Sequence, residues 1–486
     1  MGKNLIRKTY KNKDFTFTVP AGVRFIDFKL SYEAEFGITK HAGGKQLIDT
    51  YGNLYSWGGG AQVGDGTNIQ KNMPVHILVG RKFVALPRNT CEVWSCYAIQ
   101  DGGMLWAWGN NSWGQLGNGT SGNSLSVPVS VSINSTFLRV DFGENHFIGL
   151  THQKRIVTCG RNNNGQIGNN STSDISTPQI VGNFNTKDVF AFRNISAAID
   201  EDDKLYMWGI NTSGQLGVGT TNNRSTPTAV LGNKSWSKVE SNGDSTYAIE
   251  SDTKLLYSWG LNDYGQLGHG TTTNRSSPVA VLGNKKVKDV KVGGWSAYFL
   301  TEDNELYSIG RNNNGQLGIG STQNQSSPVL VATNVREINH HTYAQSAFYF
   351  LDFNDDIYSF GEPYFGALGI NAAGHRSTPT LVVGGYKWAK LVSEGGITKN
   401  GELLRWGPNA SGLVGNNSVN DVSSPVKVAT ALNPLLNNLI QVSSTKFEVT
   451  PGQVLDIKMI GGIVRVNNTY LGTCYGIPVL ELSFNA

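Results

Sequence analysis

Residues 256–281 read LYSWGLNDYGQLGHGTTTNRSSPVAV, and variants of this stretch return along most of the chain. With Gly260 of the Trp259-Gly260 pair as marker, equivalent glycines stand at Gly58, Gly109, Gly160, Gly209, Gly310, Gly361 and Gly407, so the unit occurs eight times. Successive markers lie 51, 51, 49, 51, 50, 51 and 46 residues apart, and in copies two to eight a proline follows 18 or 19 residues on, as at Pro128, Pro278 and Pro425. Such regularity makes the chain a repeat protein before any single residue is interpreted.

Each part of the unit has a local reason. In Leu256 to Trp259 large apolar and small residues alternate, the pattern of a short strand with one buried face. Asn262, Asp263, Gly265 and Gly268 then tolerate positive φ or bond their own backbone, which predicts a tight, self-bonded loop with Leu267 plugging it onto the core. Thr271 to Ser277 is turn-prone, and Pro278 opens a further strand, Val279 to Leu282, in a place an edge strand allows. Segments such as Ser245 to Ile249 and Ser296 to Thr301 precede the marker and supply hairpin partners, with acidic turns such as Glu302-Asp303-Asn304 between them. Four short strands per unit, at a period of roughly 50 residues with a Trp signature, mark a β-propeller. Trp57, Trp108, Trp208, Trp259 and Trp406 hold the apolar position beside the marker, where neighbouring blades cover one another; Cys159 stands there in the third copy as a core substitute.

The pattern WGxNxxGQLGxGT, cleanest at Trp108 to Thr120, Trp208 to Thr220 and Trp259 to Thr271, resembles the regulator of chromosome condensation repeat family over roughly residues 25 to 445. The resemblance implies a closed propeller, usually seven-bladed in that family. Eight markers predict eight blades here, with seven as the alternative. The first copy (SWGGGAQVGDG), the seventh (SFGEPYFGALG) and the last (RWGPNASGLVGNN) depart most from the pattern.

The two ends read together. DFTFTVPAGVRFIDFKL at 14–30 and KFEVTPGQVLDI at 446–457 each give strand, turn, strand, with turns at Pro20-Ala21-Gly22 and Thr450-Pro451-Gly452; Gly461-Gly462 and Val479 to Phe484 follow. These phrases resemble β-domains of bacteriophage tail-fibre and other virion proteins. The expected organisation is all-β: a split β-domain, in the form of a small β-sandwich, from residues 1–30 and 441–486, with the propeller at 31–440 between its halves. The alternative is that residues 14–30 complete the first or last blade.

Composition limits the function. Charged residues make up only 16%, glycine contributes 59 residues, and the net charge of +4 is spread without a basic run. No Lys/Arg cluster interleaved with aromatics points to nucleic acid. MGKNLIRKTYKNKDF has no apolar segment of a secretory signal and Ile6 breaks the myristoylation pattern. No apolar run approaches a membrane span. Cys91, Cys96, Cys159 and Cys474 are too scattered for a disulfide framework, and the Cys91/Cys96 spacing fits no common zinc pattern. His340-His341 are strand neighbours that point to opposite faces. The Asn-Asn-Asn-Gly runs at 162–165 and 312–315 lack the carboxylates a calcium site needs. No catalytic residue, metal site or cofactor site is therefore assigned, and a non-enzymatic protein is expected.

One loop position varies freely. Before the second repeated glycine the chain places Trp113, Asn164, Ser213, Tyr264, Asn314, Phe365 and Ser411. Tolerance of such different residues argues for exposure, which makes Trp113, Tyr264 and Phe365 candidate binding residues on a rim, against the alternative that each folds down over its own blade. The resemblance of the ends leads to the expectation of a virion structural or adsorption protein made in the host cytoplasm. Its expected partners are other virion proteins and a host surface glycan or protein, within a homo- or hetero-oligomeric assembly. The alternative is a cellular propeller regulator resembling guanine-nucleotide exchange factors, although the even repeat spacing leaves little room for the protruding wedge that activity requires.

Overall fold

The computed structural model describes all residues except 1–4, 12–14, 19–24, 34–40, 43–44, 50, 88–93, 342–345, 429–439, 449–453, 461–462, 467–468, 474–476 and 486. Cys91, Cys474 and the expected turns at Pro20-Ala21-Gly22, Thr450-Pro451-Gly452 and Gly461-Gly462 lie outside the described residues. Among the described residues there is no α-helix; the short 3-10 turns Gly60–Val63 and Tyr364–Gly366 are the exceptions to an all-β chain. The chain divides into two units, Lys40–Ile48 with Gly52–Ala429, and Met1–Thr39 with Asp49–Tyr51 and Thr430–Ala486.

Eight four-stranded antiparallel sheets fill the first unit, at residues 41–77, 83–130, 137–181, 186–229, 236–280, 287–332, 335–381 and 388–427, here called blades 1 to 8. All eight markers fall inside them, so the propeller has eight blades and not seven. Blade 5 shows the plan: Trp236–Ser241, Ser245–Glu250, Leu256–Gly260 and Arg275–Ala280 pair in simple sequence order. The fourth strand starts at Arg275, three residues before Pro278 rather than at it. Ser258 pairs with Val279 but Gly260 with Arg275, so the chain bulges opposite Trp259, and an edge-strand bulge is where a residue without an N–H fits. Gly260 has φ +102, and a Cβ there would run into the Asp244 carbonyl, which is why the marker must be glycine.

The loop after the marker is built around a buried amide. Asn262 is fully buried; its Oδ1 accepts from the Leu267 N–H at 2.9 Å, and its Nδ2 donates to the carbonyls of Thr271 at 2.8 Å and Thr273 at 3.0 Å. Asn162, Asn211, Asn312 and Asn409 repeat this arrangement. The asparagine read as a turn former is thus the internal brace of the whole loop.

Blades are joined by the loop of one and the marker residue of the next. The Trp259 indole N–H donates back to the Gln215 carbonyl of blade 4 at 2.9 Å, Trp208 to Gln166 at 3.0 Å, Trp108 to Gln62 at 2.9 Å and Trp406 to Ala367 at 3.1 Å. Cys159 keeps the role with a thiol, its Sγ donating to the Gly114 carbonyl, and burial pushes that thiol up to about 12. A second bond recurs at every seam: the backbone N–H of Gly66 meets the carbonyl of Ser126, Gly119 meets Ser176, Asn170 Ser225, Gly219 Ser276, Gly270 Ser326, Gly320 Ser377, Asn371 Ser423, and finally Asn417 meets Asn72. That last bond, with the Trp57 indole N–H on the Leu413 carbonyl at 2.8 Å, closes blade 8 onto blade 1.

The second unit contains two four-stranded sheets. One has the order Leu5–Lys11, Ile477–Asn485, Phe25–Glu33, Ile440–Glu448, and the other Phe15–Thr18, Val454–Ile460, Ile463–Val466, Thr469–Thr473. Each therefore takes strands from both sides of the propeller sequence, and Phe15–Thr18 pairs with Val454 to Ile457 rather than with a blade. Leu455 and Ile457, two residues apart on one strand, are both buried, as alternation requires.

Candidate functional site

Strand parity decides which loops can act together. In a four-stranded meander the connections between strands 1 and 2 and between strands 3 and 4 emerge at one end, while the hairpins between strands 2 and 3 and the links to the next blade emerge at the other. The marker loops therefore share their end with turns the repeat pattern does not highlight.

That shared end carries exposed aromatics. Trp113 is 39% exposed on the blade 2 loop, with the Arg161 guanidinium 4.7 Å from its ring centre. Phe365 is 61% exposed and Tyr364 beside it is also open. Tyr264 is half-buried, its ring 5.6 Å from that of Trp295, with Arg311 over both rings at 5.5 and 4.9 Å. Trp94 and Trp295 were not singled out by the repeat pattern, because they precede the second strand rather than follow the marker. Their signal was an indole at positions where other copies hold Asn145, Asn194 and Asp244.

The cations at this end differ from those at the other. From residue 86 to residue 421 the segments joining strands 1 to 2 and 3 to 4 contain no lysine. Their described cations are Arg161, Arg193 and Arg311, and Arg224, Arg275 and Arg376 open the adjoining fourth strands. At the hairpin end lysines dominate and are ion-paired: Lys154 with Glu201 at 2.9 Å, Lys234 with Glu250 at 2.9 Å, Lys285 with Glu305 at 2.6 Å, Lys387 with Asp356 at 2.8 Å and Lys399 with Asp355 at 3.1 Å. Apart from Lys234 with the buried Glu250, those pairs face solvent, where screening leaves an ion pair little net stabilisation. The Lys285 ammonium is held above its usual range by hydrogen bonds to Glu305 and Tyr307.

First strands of successive blades lie side by side and carry their own charges. Arg139 of blade 3 pairs with Asp188 of blade 4 at 2.7 Å, Lys238 of blade 5 with Asp289 of blade 6, and Lys291 with Glu240 at 3.5 Å. A 510 Å³ cavity opens among them, and its lining sets the cations Lys238, Lys288, Lys291 and Arg336 against the carboxylates Asp289 and Glu337.

Blade 8 explains the short last interval of the repeat. Its first two strands are joined by Ser393 and Glu394 alone, and Gly395 pairs with Arg405 instead of with the marker Gly407. The space left beside Gly407 is filled by buried His341 of blade 7, whose imidazole is pushed down to about 3 by burial and by Arg405. Arg405 stands where six of the other blades hold a small residue, such as Ser258, and blade 4 holds Met207; it is buried, pairs with buried Glu394 and donates to the Leu413 carbonyl.

Comparison with known proteins agrees with this architecture. The regulator of chromosome condensation (RCC1) repeat model matches residues 102–150, 202–249, 255–300 and 303–342, and a second model of the same repeat matches 138–166 and 287–316. The ultraviolet-B receptor UVR8 of Arabidopsis thaliana is 30% identical over 49% of this chain and 56% of the receptor. The probable E3 ubiquitin-protein ligase HERC4 of Homo sapiens is 25% identical over 41% of this chain and 20% of the ligase. The chain thus spans about half the length of the first relative and a fifth of the second. Prp20p of Saccharomyces cerevisiae, a structure described together with its binding to Gsp1p and histones, superposes with a TM-score of 0.54 at 18% identity over 78% of this chain and 91% of that one, a likeness of fold.

These relatives overturn the expectation of a bacteriophage virion protein. They are eukaryotic regulators matched through the repeats, and none is a phage structural component, so the virion partners lose their support as well. The phrases at the chain ends misled because strand, Pro-Gly turn, strand is what any small antiparallel sheet requires. The repeats carry the specific information: the matched segments are regulator of chromosome condensation repeats, set within an eight-bladed propeller.

Proposed function

We propose that this chain is a cellular regulator without chemistry of its own, which acts by holding a protein partner against the end of its propeller that carries the marker loops. The observation that carries the reading is the segregation of side chains outside blade 1: Trp94, Trp113, Trp295, Tyr364 and Phe365 share that end with arginines, while the loop lysines of blades 2 to 8 gather at the other. Protein interfaces are enriched in aromatics and Arg and depleted in Lys, because a guanidinium stacks on a ring and sheds water more readily than an ammonium. Exposed aromatics with arginines stacked over them are the residues that dominate binding energy when a partner covers them. The proteins whose repeats resemble these supply the class of partner, a protein, and the matched length supports nothing finer.

The test uses an internal control. Phe353 is 50% exposed in a hairpin at the opposite end of the same blade that carries Phe365. Partners of the tagged chain are captured from the cells that make it, using the native sequence, Trp295→Ala, Phe365→Ala and Phe353→Ala. The expected result is one set of proteins lost with Trp295→Ala and Phe365→Ala and kept with Phe353→Ala. Equal loss, or equal retention, in all three rejects the assignment of the face. A nucleotide-release assay on any captured GTPase then distinguishes exchange from binding alone.

A further inference from the structure

Seven of the eight seams in the ring are crossed by the chain itself, through links as short as the one from Ala332 to Val335. The eighth is not. Blade 1 is made wholly from residues 41–77 and blade 8 wholly from 388–427, so neither lends a strand to the other. The contacts across this seam are of the ordinary kind: the Asn417 N–H on the Asn72 carbonyl at 2.9 Å, the Trp57 indole on Leu413, and Arg405 over the Trp57 ring at 5.7 Å. Contacts of the same strength hold less well where no short link keeps the partners together, because each opening releases a loop of several hundred residues.

The segments flanking the ring supply what the seam lacks. The strand Leu5–Lys11 pairs residue for residue with Val479 to Asn485, and Phe25–Glu33 lies between Ile440–Glu448 and Ile477–Asn485, paired with both. Phe15–Thr18 joins Val454 to Ile457 in the second sheet. The chain segment that leads into blade 1 and the one that follows blade 8 are therefore bonded to each other. We propose that this two-sheet unit is a clasp: it keeps blades 1 and 8 at high effective concentration, so that the one unlinked seam recloses as fast as the linked ones. With the clasp intact the seam opens only transiently, and release of the clasp is the point at which lasting opening is controlled.

The test severs the clasp from the ring after folding. A protease site is inserted between Pro434 and Leu435 of the full chain, and the folded protein is cut and followed by hydrogen exchange. Expected is at least a tenfold faster exchange in peptides containing Asn417 and Trp57, with the seams at Asn170 and Gly320 and the paired strands Leu5–Lys11 and Ile477–Asn485 unchanged. A second variant, Leu455→Asp with Ile457→Asp, unseats the clasp without a cut, and the same selective loss at Asn417 is expected. Unchanged protection of Asn417 in the cut protein, or in the double variant once its flanking strands exchange freely, overturns the proposal. So does an equal loss at all eight seams, since that marks a general support of the fold rather than a lock on one junction.

Discussion

Replacing Trp259 by alanine tests whether the marker residue is the joint between blades. The side chain is fully buried, its indole donates to the Gln215 carbonyl of the preceding blade at 2.9 Å, and its ring lies where a Cβ on Gly217 would come within 2.8 Å of Nε1. Truncation of a buried Trp costs about 3 to 5 kcal/mol in transfer energy and cavity. The Gln215 carbonyl keeps the Thr246 hydroxyl as a donor at 2.9 Å, so the lost indole bond adds only about 0.5 to 1.5 kcal/mol. Trp259→Phe keeps most of the ring and loses one of two donors to that carbonyl, so about 0.5 to 1.5 kcal/mol is expected from the bond alone; Ile309 and Phe360 at the same place in blades 6 and 7 show that a carbon-only side chain fits the joint. Tyr264→Ala, at a half-buried position with one ring neighbour and one arginine, should cost about 1 kcal/mol. Urea midpoints of the three variants give the ranking, and hydrogen exchange at the Gly219 amide, which bonds to Ser276 across the same seam, shows whether the loss is local. A Trp259→Ala variant within about 0.5 kcal/mol of the native chain, the range of an ordinary surface change, would refute the joint.

Other expectations can be checked with the same denaturation assay. Gly260→Ala forces a Cβ onto the Asp244 carbonyl at φ +102 and should cost more than 2 kcal/mol, by order of magnitude about twice the cost at Gly122, which has positive φ but nothing within 4 Å of a Cβ. Arg405→Ala strands the buried Glu394 carboxylate and should cost about 3 to 5 kcal/mol, whereas losing a surface pair such as Lys154 with Glu201 should cost less than about 1 kcal/mol. Burial pushes the imidazoles of His146 and His341 down to about 3 and that of His340 to about 4. The folded chain then binds fewer protons than the unfolded chain below about pH 6.5, so this stabilisation is complete above that pH and declines as pH falls toward the folded values. Melting temperatures from pH 8 to 4 should drop below pH 6.5, and His341→Gln should flatten the slope; a flat profile in the native chain would contradict the burial of these rings.

How far the sequence could be read follows from what is periodic. The spacing of the markers gave the blades, and the conformational demand on Gly260 could be anticipated from its place after an apolar strand. Asn262 could be seen to recur but not to be a buried brace, because its partners Thr271 and Thr273 come into reach only when the loop folds back on itself. The rim was legible in part: Trp113, Tyr264 and Phe365 stand out by varying within a fixed frame, while Trp94 and Trp295 lie in turns that the repeat pattern does not mark. That Tyr264 is held by Trp295 and Arg311 of the next blade is a contact between copies, and no single copy contains it.

By itself the sequence determined the repeat, the strand order within each blade and the residues that had to be apolar or glycine, since these follow from spacing and backbone sterics within about 50 residues. Only the tertiary structure decided that Trp259 bonds to the blade before its own, that the interval of 46 residues is filled by His341, Glu394 and Arg405, and in which order and register the strands on either side of the ring, expected from the sequence to form one domain, pair with one another. Each of these joins residues of different blades or of opposite ends of the chain. Which residues meet in that way is set by how the blades close, and closure is a property of the ring that no single copy of the repeat contains.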